Sequence, residues 1–129
     1  MTQKKILIVD DSSTIVMMEK FILRNDPYIL ITASNGEEAI RLAASEQPDL
    51  VLLDVIMPRM GGFEACRLIR DNEATRHIPI IMVTTRGEAT NVETGWVSGC
   101  TDYVTKPINA VELLAKVRSV IGDAAEVAQ

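Results

Sequence analysis

Two cysteines and one histidine are all that 129 residues supply of the residue types that build disulfides or zinc sites. Cys66 and Cys100 stand far apart with no CxxC pair, so no disulfide framework is legible and both read as small buried hydrophobes. With His77 the only imidazole, and in a loop-like setting, a zinc site lacks ligands. No apolar run approaches the ~20 residues that span a bilayer. Nothing here resembles a signal peptide: Lys4 and Lys5 lead into Ile6–Val9, but Asp10 and Asp11 cut that run short. Basic residues are outnumbered, 13 Lys and Arg against 18 Asp and Glu, and the net charge of −5 argues against a nucleic-acid surface. These absences leave an acidic domain, expected in the cytoplasm, away from membranes and without direct nucleic-acid contact.

What is present is a core-forming chain of ordinary composition, 47% hydrophobic and 24% charged, long enough for one domain around one core. The stretch that organises it is Leu50–Gly62. Four apolar residues, Leu50 to Leu53, run unbroken into a single carboxylate, Asp54. Such a run suits a strand buried on both faces, the kind found in parallel sheets covered by helices on both sides. Pro58 then ends any strand, and Gly61-Gly62 permit backbone angles that other residues avoid. Asp54 is therefore expected at the carboxyl end of a central strand, the edge where ligands bind in open α/β sheets.

The remaining chain alternates strand and helix. Strands are expected at Lys5–Val9, Tyr28–Thr32, Leu50–Leu53, Pro79–Val83 and Tyr103–Thr105. The first helix opens at the caps Ser12-Ser13-Thr14, with Ile15, Met18 and Phe21-Ile22 at helical spacing up to Arg24. Asp26-Pro27 breaks it. The second opens at Asn35 with Glu38 three residues on, a variant capping box, and carries Ala39, Ile40, Ala43 and Ala44. The third follows Gly62 with Phe63, Cys66 and Ile69. The fourth is expected over 88–98, ended by Gly99. The fifth is capped by Asn109 and Glu112, with Val111, Leu114, Val117 and Ile121 on its inner face. The methionines Met17, Met18, Met57 and Met60 read as core or loop fillers. Five strand–helix repeats with short connections imply a doubly wound parallel sheet with right-handed crossovers. Residues 123–129 are expected to fray.

Polar residues fall where the strands end: Asp10-Asp11, Asp54, Thr84 and Lys106. Parallel strands share one carboxyl edge, so three acids, a hydroxyl and an ammonium should converge. Each alone has a plainer reading. Asp10 and Asp11 can cap the first helix, Thr84 suits a strand, and Lys106 can be solvated before a turn. Asp54 resists such a reading, because a carboxylate beside a buried strand costs several kcal/mol unless compensated.

Four segments together, ILIVDDS at Ile6–Ser12, LLDVIMPRMGG at Leu52–Gly62, IIMVTT at Ile80–Thr85 and DYVTKP at Asp102–Pro107, resemble the receiver domain of two-component response regulators, close to the single-domain chemotaxis type. The resemblance covers almost the whole chain, with residues 1–122 as the domain. It implies a flavodoxin-like α/β fold of five parallel strands in the order 2-1-3-4-5 with five helices. It implies that Asp54 accepts a phosphoryl group from a sensor histidine kinase, with Lys106 and Thr84 assisting. Mg2+ would be held by Asp10, Asp11, Asp54 and the backbone carbonyl of Ile56. Thr84 and then Tyr103 would carry the change to a partner-binding face formed by Val92, Trp96, Tyr103, Thr105, Ile108 and Lys116. The bond before Pro107 would be cis. The chain would be a monomer or weak dimer, and a regulatory phosphoacceptor rather than an enzyme.

Some positions depart from the family's pattern. Gly61 replaces a frequent Asp, and Thr85 replaces a small residue and would crowd the phosphoryl entrance. Ile56 and Arg86 occupy positions that tune phosphate lifetime. Two readings compete within the family: the receiver part of a longer regulator, and a phosphate-independent adaptor. Outside it, a haloacid-dehalogenase-type phosphatase needs a second acid two residues after the nucleophile, where Ile56 stands. A flavodoxin-like cofactor binder is disfavoured by three acids that would repel a flavin phosphate.

Overall fold

A computed structural model describes residues 3–85 and 99–122. Five strands, β1 (Lys5–Val9), β2 (Ile29–Ala33), β3 (Leu50–Asp54), β4 (Ile80–Thr85) and β5 (Asp102–Lys106), form one parallel sheet in the order β2-β1-β3-β4-β5. Among the described residues there are four helices: α1 (Ser13–Leu23), α2 (Gly36–Glu46), α3 (Gly62–Asp71) and α4 (Ala110–Ile121). The helix expected over 88–98, with Val92 and Trp96, lies outside the described residues, as do Arg86 and the tail 123–129.

The unbroken apolar strands are explained by burial on both faces. Along β1, Leu7 and Val9 point into one cluster while Ile6 and Ile8 point into the other, and β3 repeats this with Val51 and Leu53 against Leu50 and Leu52. The first cluster is closed by Ala39 and Ala43 of α2 and by Ala65, Cys66 and Ile69 of α3. The second is closed by Leu23 of α1 and by Leu113 and Val117 of α4. No described helix is long and apolar enough to cross a membrane.

Caps set the helix starts. Ser12 Oγ accepts from the Ile15 amide, Asn35 Oδ1 from Glu38 and Asn109 Oδ1 from Glu112. Glu38 reaches back past the cap to the amide of Ser34, 2.7 Å away, completing the expected box one residue earlier. The peptide before Pro107 is cis, as the resemblance implied.

Several expectations are corrected. The buried side of α1 is Glu19 and Leu23, while Met17, Met18 and Phe21 are exposed, so the two methionines are not core. Of the expected apolar positions, Ile22 does pack against the core, while Met18 and Phe21 face solvent. In α4 the buried pair is Leu113 and Val117, and Val111 is 79% exposed. Ala44 of α2 is exposed, and Leu42 packs instead. Neither Gly61 nor Gly62 takes a positive φ. In their loop that conformation belongs to Arg59, at φ 69°. Gly62 answers a need for space: a Cβ there would lie 2.2 Å from the Asp54 carbonyl oxygen. Strand β5 is also longer than expected, reaching Lys106 itself.

Candidate functional site

The parallel registers carry the polar strand ends to one rim. Val9 lies beside Leu53, Asp54 beside Val83, and Thr85 beside Lys106, so Asp10 just past β1, Asp54 at the end of β3, Thr84 one residue before the end of β4 and Lys106 at the end of β5 all fall at the same carboxyl rim. Carboxylate oxygens of Asp10, Asp11 and Asp54 all lie within 4.8 Å of one another. Lys106 Nζ donates to Asp54 Oδ1 at 3.0 Å and stands 3.5 Å from Asp10 Oδ2. The Ser12 amide donates to Asp10 Oδ1, which turns that carboxylate toward the rim as α1 begins. Thr84 is buried, and its hydroxyl makes a long 3.4 Å bond to the Thr85 carbonyl. Thr85 itself is exposed. Asp11 and Ile56 are the solvent-facing members, on the two loops that border the acids.

Burial dominates the electrostatics. It pushes the Asp54 carboxyl up to about 6, opposed by the Lys106 hydrogen bond and reinforced by the charge of Asp10. Asp10 is raised as well, chiefly by burial. Burial alone would lower the Lys106 ammonium, but the hydrogen bond and charge of Asp54, with Asp10, outweigh it and hold the group above its usual value. Three close carboxyls with one ammonium form a pocket short of positive charge.

Asp10 Oδ2 is buried and, among the described residues, accepts no hydrogen bond. A hard divalent cation answers that deficit. Mg2+ takes oxygen ligands at 2.0–2.1 Å, so opposite ligands stand about 4 Å apart. The three acids offer oxygen atoms close enough to one another to share one such ion. The donor set is all oxygen, which suits Mg2+ and not a thiophilic metal.

One buried acid escaped the sequence reading. Glu19, on α1, is 1% exposed, and its Oε2 accepts no hydrogen bond among the described residues. Burial pushes its carboxyl up to about 8, helped by the charges of Asp10 and Asp54 and opposed by Lys106. The available signal was a charge four residues before Leu23, on the same helix face.

The family model for the response regulator receiver domain matches residues 6–118. This chain is a receiver domain of that family. It is 40% identical over 118 residues to the alkaline phosphatase synthesis transcriptional regulatory protein PhoP of Bacillus subtilis, covering 92% of this chain and 48% of PhoP. It is 38% identical over 117 residues to protein PilH of Pseudomonas aeruginosa, covering 91% of this chain and 97% of PilH. The receiver domain thus spans about half the length of the first relative and nearly all of the second. Among solved structures, the receiver domain of a sensor histidine kinase from Pseudomonas aeruginosa matches with a TM-score of 0.85 and 30% identity, covering 95% of this chain and all of that one. That structure holds a magnesium ion coordinated in the active-site cleft. Receiver domains are signalling proteins that bind Mg2+ in the acidic site and interact with histidine kinases and downstream targets.

The expected site residues Asp10, Asp11, Asp54 and Lys106 are together in space, with Thr84 one residue before the end of the neighbouring strand. Tyr103, Thr105, Ile108 and Lys116 lie on β5, its following loop and α4, and all four are half-buried. Ile108 packs against the α1/α4 cluster, so part of its surface serves the core. Cys66 and Cys100 are buried, and burial pushes the Cys66 thiol up to about 11, in keeping with a space-filling role. His77 is exposed.

Proposed function

We propose that this receiver domain is a phosphorylation-controlled switch in which Asp54 is the acceptor. The observation that carries the reading is the Asp54 carboxylate at the strand rim, hydrogen-bonded to Lys106 and crowded by two further acids. At neutral pH a carboxyl held near 6 is largely ionised and nucleophilic. A carboxylate oxygen of Asp54 bonds to the phosphorus of a kinase phosphohistidine. The P–N bond breaks, and its electron pair leaves with the imidazole. Phosphoryl transfer is mostly positioning and charge neutralisation, and Lys106 supplies a fixed positive charge beside the new group. Asp10, Asp11, Asp54 and the Ile56 carbonyl would hold Mg2+, which when bound offsets the repulsion between carboxylates and phosphate.

Thr84 exchanges its long bond to Thr85 for one to a phosphoryl oxygen. That contact exists in one state only, so it shifts a population between two conformations. Tyr103, on the adjoining strand, turns inward as Thr84 moves, and the change reaches a partner face that includes Thr105, Ile108 and Lys116. The domain works as a monomer or weak dimer in the cytoplasm, as a stoichiometric acceptor rather than a turnover enzyme.

Incubation with acetyl phosphate and Mg2+ is expected to add one phosphoryl group by intact mass, and Asp54→Ala to abolish it. Absence of the adduct on the wild-type chain under any condition overturns the switch and leaves a phosphate-independent adaptor.

A further inference from the structure

A second polar cluster, which the acid site does not use, lies on β5. That strand is the sheet edge. The Tyr103 amide donates to Asp102 Oδ1 at 2.8 Å, and the Tyr103 carbonyl accepts from Lys116 Nζ. Both backbone polar groups of Tyr103 are therefore met by side chains. The triangle closes through an ion pair of 3.5 Å between Lys116 Nζ and Asp102 Oδ1. The same ammonium sits 4.9 Å from the centroid of the Tyr103 ring, within the range of a cation–π contact.

The path of Lys116 matters. α4 packs on one face of the sheet through Leu113 and Val117. The Tyr103 ring packs against the cluster on the other face. Lys116 leaves the first face, passes around the strand edge and ends over the ring on the second. One side chain thus ties an aromatic on one side of the sheet to a helix on the other. Its ammonium holds three partners at once: a carbonyl, a carboxylate and a π face.

We propose that Lys116 is a positioning residue that latches the Tyr103 ring in its present orientation. The proposal rests on the reading of Tyr103 as the aromatic that moves when Asp54 is modified. A ring that turns away loses the cation–π contact while the backbone and Asp102 contacts still hold the ammonium. Removing the latch therefore favours the turned state and tightens binding of whatever stabilises it.

The chain has two tyrosines, so 3-fluorotyrosine labelling gives two 19F resonances. Tyr28 is buried, with its hydroxyl donating to the Gly122 carbonyl, and reports on the fold. Tyr103 reports on the latch. Wild type, Lys116→Met and Lys116→Arg are titrated with beryllofluoride in the presence of Mg2+. In Lys116→Met the ligand-free Tyr103 resonance should already lie part-way to its saturated position. Half-saturation should fall about two- to fivefold, the span that one partly exposed cation–π contact supports. Lys116→Arg, which keeps charge and π contact, should follow the wild type. Asp102→Asn, which loosens the ammonium without shortening a side chain, should shift Tyr103 in the same direction by less, and serves if Lys116→Met disturbs Tyr28. An unmoved Tyr103 resonance with unchanged half-saturation overturns the latch, leaving Lys116 as a cover for the strand edge. If the wild type binds no beryllofluoride, the acceptor reading of Asp54 fails. The latch is then decided by the ligand-free resonance alone: displaced in Lys116→Met it stands, unmoved it falls.

Discussion

The two faces of the sheet bury different things. The face under α2 and α3 is filled by aliphatic side chains, two methionines and two thiols. The face under α1 and α4 is closed by Leu23, Leu113 and Val117, yet α1 also buries the carboxyl of Glu19, with an oxygen that no donor among the described residues meets. No carboxyl is buried on the first face among the described residues. The second accepts a destabilising group directly behind the acids of the rim, and the charges of Asp10, Asp54 and Lys106 all reach it. A buried carboxyl without partners is costly, so the difference shows where this molecule departs from the most stable packing.

The largest way to break the contrast is Glu19→Leu. Burial holds the folded carboxyl near 8, against 4.5 for an ordinary glutamate. Below pH 4.5 both folded and unfolded chains keep the proton, and nothing is lost. As pH rises from 4.5 to about 8 the unfolded chain ionises first, so stability drains away until the folded pKa is passed. The gap corresponds to about 5 kcal/mol. Glu19→Leu should therefore be more stable by about that much at pH 8, with the advantage shrinking toward pH 4.5. Urea unfolding across that range measures it, and a pH-independent difference would place the carboxyl in water.

Leu53→Ala, on the apolar face, has the opposite sign. It should cost about 2–5 kcal/mol in the same assay at every pH, through lost burial and a residual cavity. A smaller effect than this would mean that the α2/α3 face is loosely packed.

At the rim the expected effects are smaller. Asp54 is raised from 3.8 to about 6, so its folded-state advantage is full below pH 3.8 and is lost as pH rises through about 6. Asp54→Asn in metal-free buffer should gain about 1–3 kcal/mol at pH 7, seen as a higher Tm. Mg2+ should recover part of this deficit in the wild type. A free concentration ten times Kd stabilises by about 1.4 kcal/mol, and Asp11→Ala should blunt the gain. A Tm that ignores Mg2+ in the wild type would count against the acids as a cation site.

Legibility followed the same division. Strand runs such as Leu50–Leu53 and Ile80–Val83 are apolar at every position, so they mark buried parallel strands without ambiguity. Asp10, Asp54, Thr84 and Lys106 could be placed because each ends such a run, and parallel strands end together. The helix faces were harder. Met18 and Phe21 have helical spacing, as Leu23 and Glu19 do, and spacing alone cannot say which stripe meets the sheet. Hydrophobicity favoured the wrong stripe because the right one contains a carboxylate. The same ambiguity put Val111 in the core in place of Leu113. Arg59 was missed for another reason. Two glycines beside it drew the expectation of unusual backbone, when Gly62 was there to leave room for a neighbouring carbonyl. The latch on Tyr103 was out of reach, because no local pattern says that Lys116 will wrap an edge 13 residues away.

The contact between Gly62 and the Asp54 carbonyl has a mechanical consequence. The Gly62 amide donates to the Val55 carbonyl at 2.8 Å, and the Val55 amide donates to Val83 at 3.1 Å. Val55, directly after Asp54, is thus held from the helix side through its carbonyl and from the strand side through its amide. On the proposed reading of Asp54 as acceptor, it behaves as an anvil: a new group bonded to it leaves its strand in place, and the displacement is taken up by the other walls of the crevice.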